Sequence, residues 1–134
     1  MENIDINKYS QFVDSVLSSQ SKNLEDFIQS LRNIQEQGVS PSLLDTAATG
    51  LAGEGGEFND IVKKLFFQGK PLTDEVKTHL KKELGDVIFY WIVACQALNV
   101  DPMEIISTNH QKLSARYPDG FSEHRSNNKA KDDI

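Results

Sequence analysis

LAGEGGEFNDIVKKLFFQGKPLTDEVKTHLKKELGD, residues 51–86, reads as a helical pattern interrupted once. Leu51, Phe58, Ile61 and Leu65 continue an apolar stripe begun by Leu44 and Ala47, at the spacing of one helical face. Glu54 falls on that stripe, and Glu57, three residues on, lies on nearly the same face. Gly69 and Pro71 in QGKPL stop the helix, and Thr73 is placed to cap the next one. There Leu80, Leu84, Val87 and Trp91 form the apolar stripe, with Glu83 and Asp86 beside them, again three apart. Two long helices around so short a turn predict an antiparallel hairpin.

Lys70 is the midpoint of the turn. Glu54 and Asp86 each stand sixteen residues from it, and Glu57 and Glu83 each thirteen. Antiparallel packing therefore sets Glu54 level with Asp86 and Glu57 level with Glu83, so that four carboxylates converge on one small volume. Buried together without compensation, they would raise one another's pKa values until some were neutral. A bound cation removes the conflict. Oxygen ligands without histidine or thiolate favour Mg²⁺, with Mn²⁺ as a substitute, over zinc. Di-iron carboxylate bundles use Glu-x-x-His on two helices, and none of His79, His110 and His124 follows a carboxylate by three. Glycine inside a helix costs about 0.5–1 kcal/mol relative to alanine. Gly53, Gly55 and Gly56 on one helix and Gly85 on the other therefore predict a place where bulk is excluded, so that a neighbouring helix, a metal-bound water or a phosphate can approach the backbone.

Helical periodicity extends over the rest of the chain, predicting an all-α bundle of about four to five helices around the hairpin. A first helix spans about 5–18, with Tyr9, Phe12, Val13, Val16 and Leu17 on one face. A second spans about 23–37, with Leu24, Phe27, Ile28, Leu31 and Ile34 in register and Gly38 ending it. The hairpin helices run from Ser40 or Pro41 to the turn and from Thr73 to about Leu98. The fifth opens with Asp101 as N-cap, Pro102 at its first position and Glu104 placed for a capping box, and ends before Pro118. Residues 1–122 are expected to form one domain, and 123–134, polar and aperiodic, an extended or partly disordered tail unless a partner subunit orders it.

At 134 residues, 38% hydrophobic and 25% charged, the chain suits a single core. A net charge of −6 and a pI near 5.0 exclude broad electrostatic binding to nucleic-acid polymers or to an anionic membrane. Any anionic substrate then needs locally positive groups. Cys95, within the apolar run DVIFYWIVACQAL, reads as a core side chain, and a lone cysteine allows no disulfide within the chain. MENIDINKYS lacks the basic and apolar regions of a leader, and no stretch approaches the roughly 18 apolar residues of a membrane span, so a cytoplasmic location is expected.

Taken in order, GLAGEGGEFNDIVKK (50–64), FFQGKPLT (66–73), KKELGDVIFYW (81–91) and NHQKLSARYPDGFS (109–122) resemble the MazG-like all-α nucleoside triphosphate pyrophosphohydrolases. The hallmark of that family is E-x-x-E, a spacer and E-x-x-D, here EGGE and ELGD. The likeness covers residues 40–122 closely and the first two helices more loosely. It implies Mg²⁺-dependent cleavage of a nucleoside triphosphate, preferentially a dNTP, between the α and β phosphates, giving the monophosphate and pyrophosphate. Carried over by position, Glu54, Glu57, Glu83 and Asp86 are the metal ligands and catalytic carboxylates. Asn109 and Lys112 match the family's N-x-x-K, followed by Arg116 and Tyr117. Asn109, Lys112 and Arg116 share one helical face suited to an anion. Lys63, about two turns beyond Glu57, is a further candidate for phosphate contact. Phe58, Tyr90 and Trp91 fit helical stripes and read as core rather than as base-stacking groups. The resemblance also implies a homodimer or a dimer of dimers. The alternative is a catalytically idle nucleotide- or metal-binding module acting through a protein partner, against which the four intact acids speak.

Overall fold

The structure, a computed structural model, describes residues 5–128. Seven helices and no strand lie among them: α1 (Ile6–Val16), α2 (Ser19–Lys22), α3 (Leu24–Glu36), α4 (Pro41–Phe67), α5 (Asp74–Leu98), α6 (Pro102–Arg116) and α7 (Glu123–Asn127). The chain divides into a first unit ending at Pro41 and a second beginning at Ser42.

The five long helices match the expected ones to within a residue or two, while α2 and α7 add to the expected four to five. Neither is long enough to show periodicity. In the first unit the Asn23 side chain accepts from the N–H groups of Glu25 (2.9 Å) and Asp26 (3.3 Å) to open α3. Its own N–H closes α2 on the Ser19 carbonyl. Gly38, at φ +82°, leaves α3 in the left-handed region as its position predicted. In the second unit Ser122 caps α7 by accepting from the Arg125 N–H at 3.3 Å. The Arg125 guanidinium donates to the Arg116 carbonyl at 3.2 Å, tying the short helix to the end of α6. The expected tail is thus helical over Glu123–Asn127. Residues 129–134 of it lie outside the described residues, as do residues 1–4.

The hairpin of α4 and α5 organises the second unit. Gly69 turns through φ +67°, and the Lys70 N–H donates to the Lys64 carbonyl at 3.1 Å, satisfying a carbonyl at the end of α4. Thr73 then accepts from the Val76 N–H and opens α5. At its far end Asn99, at φ +53°, stops α5. Asp101 caps α6 through Met103, at the second helical position, rather than through Glu104 as a capping box would require.

Every residue of the α4 stripe read from the sequence is buried or half-buried: Leu44, Ala47, Leu51, Glu54, Phe58, Ile61 and Leu65. On α5 the inward line is Val76, Leu80, Glu83, Val87, Tyr90 and Ala94, with Cys95 also buried. Leu84 departs from its expected place, at 51% exposed. It follows Glu83 by about 100° of helix rotation, and because Glu83 takes the inward position, Leu84 turns to the side with Ile88.

The two helices meet closely at Gly50. A β-carbon there would lie 2.2–2.3 Å from the Tyr90 ring. Gly50 and Tyr90 each stand twenty residues from Lys70, so the mirrored register holds between four and five turns beyond the loop. The four glycines expected to admit a close neighbour behave otherwise. Gly53, Gly55, Gly56 and Gly85 have no protein atom within 4 Å of such a carbon, so no helix is held against them. Gly50→Ala should therefore destabilise the protein by about 1–3 kcal/mol, the usual cost of overpacking. Gly55→Ala should stabilise it by about 0.5–1 kcal/mol. Urea unfolding of the two variants checks both signs.

Candidate functional site

Glu54 and Glu57 come from α4 and Glu83 from α5. One carboxylate oxygen of each lies within 4.8 Å of the others. Glu83 is 5% exposed, the one buried charged side chain among the described residues, while Glu54 is half-buried and Glu57 exposed. Partial burial holds the Glu54 carboxyl above its ordinary range. The charges of Glu57, Asp86 and Glu83 push it the same way, as does its hydrogen bond with Glu83. Asp86 thus acts on the cluster electrostatically, but it is exposed and lies outside the convergent triplet.

The donor set can be tested against a cation. Octahedral Mg²⁺ holds oxygens at about 2.0–2.1 Å, which sets adjacent ligands about 2.9 Å and opposite ligands about 4.2 Å apart. A triplet within 4.8 Å spans such an ion, and no histidine or cysteine belongs to it. The residues fit a hard divalent cation.

A recess of about 380 Å³ borders the cluster. Its wall includes Glu57 and Glu83, Gly53 and Gly56, and the cations Lys64 and Lys70. Gly53 and Gly56 therefore face open space rather than another helix, and a side chain at either would narrow the recess. Ile61 and His79, each nine residues from Lys70, complete the mirrored register within this wall. Asp60 lines it too, paired with Lys63 and Lys64, which hold its carboxyl down at about 2.

The remaining sequence candidates do not line this recess. Lys63 is exposed and engaged with Asp60, and its neighbour Lys64 is the lysine of that pair on the recess wall. Asn109 and Lys112 are exposed on α6, with Arg116 and Tyr117 half-buried at its end. The Arg116 guanidinium lies 5.7 Å from the centre of the Tyr117 ring. None of the residues lining the recess comes from α6.

Lys70 and His79 were not singled out from the sequence as site residues. Lys70 carried no signal beyond its place in the turn. His79 carried one: it precedes Glu83 by four, the spacing at which helical side chains meet. The imidazole Nε2 donates to Glu83 Oε1 at 2.9 Å.

An all-α hairpin holding a carboxylate triplet beside a recess with lysines on its wall defines a class of site suited to a metal and a polyphosphate. The chain belongs to the MazG nucleotide pyrophosphohydrolase domain family, whose pattern matches residues 44–121. The match lies within the second unit. No curated protein and no solved structure matches the chain. No helix among the described residues is long and apolar enough to cross a membrane.

The Asp60 pairing has a pH signature. Its folded value of about 2 lies below the ordinary 3.8, so its contribution to stability is present above the ordinary value and lost as pH falls through about 2. The melting temperature of Asp60→Asn should sit slightly below that of the natural protein at pH 6, because a solvent-facing pair contributes little. The gap should close as both are titrated to pH 2.

Proposed function

We propose that the protein is a Mg²⁺-dependent pyrophosphohydrolase that cleaves nucleoside triphosphates, preferentially dNTPs, between the α and β phosphates. The observation that carries this reading is the convergence of Glu54, Glu57 and Glu83 on one another beside a recess that Glu57 and Glu83 line, in a chain of this family. Those three carboxylates would hold the ion, with Asp86 adding negative charge beside them and proposed as a fourth ligand. When bound, Mg²⁺ supplies neutralising charge for the phosphates and lowers the pKa of a coordinated water.

The chain's own groups account for the rest. Lys70, with Lys64 beside its partner Asp60, offers cationic groups on the recess wall that a triphosphate can meet once a bound cation offsets the acids. Lys63, Asn109, Lys112, Arg116 and Tyr117 are proposed as further substrate contacts. Water forms a bond to the α phosphorus as the bond to the α–β bridging oxygen breaks. Pyrophosphate leaves, and a carboxylate of the site accepts the water's proton.

An assembly of copies fits the same picture. Leu84 and Ile88, with Phe89 beside them, are 51–61% exposed along the side of α5. This apolar line supports a homodimer or a dimer of dimers. Light scattering on the purified protein should give a mass of at least twice 15.0 kDa, reduced by Ile88→Asp.

Activity is tested with each dNTP and Mg²⁺, separating monophosphate plus pyrophosphate from diphosphate plus orthophosphate. The expected products are the first pair. Glu54→Gln and Asp86→Asn should each lower kcat by about a hundredfold or more, the effect of losing a few kcal/mol of transition-state stabilisation. Diphosphate as product, or full activity in Glu54→Gln, would overturn the proposal. Metal binding without turnover of any nucleotide would leave a binding module.

A further inference from the structure

We infer that His79 is a positioning residue for the metal centre, acting through Glu83. The inference rests on the metal reading above and adds to it a residue outside the carboxylate pattern.

Glu83 is the member of the triplet with most need of a fixed place. It is buried, and it faces two other carboxylates whose charges repel it. Its long side chain has several rotamers, and like-charge repulsion favours those that swing the carboxylate away from the cluster. The hydrogen bond from His79 opposes that movement by holding Oε1, leaving the second oxygen to be directed at a ligand. Both residues lie on α5, four apart, so the constraint is built into one helix and does not depend on how closely α4 packs. For Nε2 to donate to an ionised carboxylate it must carry the proton, which leaves Nδ1 as the acceptor in the neutral ring.

His79 is not itself a member of the ligand triplet. It is 55% exposed at its side chain and lines both the recess beside the acids and a second one formed with Asp74, Glu75, Thr78 and Lys82. Its place is therefore the wall between solvent and the buried carboxylate, where an imidazole can orient Glu83 without taking a coordination position.

The test measures metal binding directly, by Mn²⁺ titration followed by electron paramagnetic resonance, with no nucleotide present. The proteins are the natural chain, His79→Leu, His79→Ala, His79→Gln and Glu54→Gln. Leucine and alanine remove the donor, while glutamine offers an N–H at similar reach. Losing a partner of this kind typically weakens metal binding ten- to a hundredfold. We expect a loss of about that size in His79→Leu and His79→Ala and recovery of most of the affinity in His79→Gln, with all three variants folded at the assay temperature. In turnover, the Mg²⁺ concentration for half-maximal rate should rise in His79→Leu while kcat at saturating Mg²⁺ stays close to the natural value. Mn²⁺ binding as tight in His79→Leu and His79→Ala as in the natural chain would overturn the inference. So would His79→Gln binding as weakly as they do. If Glu54→Gln also bound Mn²⁺ normally, the metal reading would fall and the role of His79 with it. If Glu54→Gln lost binding while the His79 variants kept it, only the inference would fall.

Discussion

Repulsion among carboxylates held within 4.8 Å of one another is the constraint on which the rest of the second unit depends. Left alone, such a group would spread its side chains into solvent or take up protons. The first escape is closed to Glu83, because its position on the inward line of α5 is set by the same helical phase that turns Val76 and Val87 toward the hairpin. The apolar stripes thus do two things at once. They close α4 on α5, and in closing they carry the acids with them. The raised Glu54 carboxyl is the mark of that compression.

The hairpin needs a rigid reference to keep such a group together, and Gly50 with Tyr90 provides it. With no β-carbon on α4, the ring settles directly against the backbone one turn beyond Glu54, which fixes both separation and register. At the other end, Gly69 and the Lys70 N–H close the turn, and Thr73 restarts the helix. The acids lie between two places where the chain has little freedom, the arrangement expected of a site whose geometry must be set before its ligand arrives.

The large features were legible in the sequence because they rest on periodicity and punctuation. The α4 stripe, the turn at QGKPL and the mirrored distances of 54, 57, 83 and 86 from Lys70 need only helical geometry. What escaped is finer than a repeat can encode. Leu84 fits a stripe as well as Glu83 does, and only the packed hairpin decides which faces inward. The four glycines near the acids signal missing bulk without saying whether protein or open space takes its place. The recess beside Gly53 and Gly56, and the absence of any protein atom near all four, answer that. Asp86 shares the sequence signature of the other acids, yet it stays exposed and outside the triplet, which spacing alone does not reveal. α2 and α7 are each one turn or little more, too short for a pattern to show.

The mirrored register about Lys70 also bears on how such a chain can change in length. A residue inserted within α4 between Glu57 and the turn would rotate Glu54 and Glu57 by about 100° relative to the apolar residues that follow, carrying them off the shared face. A residue inserted among Gly69–Leu72 leaves the phase of both helices intact and lengthens only the connection. The spacer between the two acidic motifs therefore has two kinds of freedom. It can grow one residue at a time at its tip, but along its helical arms only in steps of whole turns, matched on both sides.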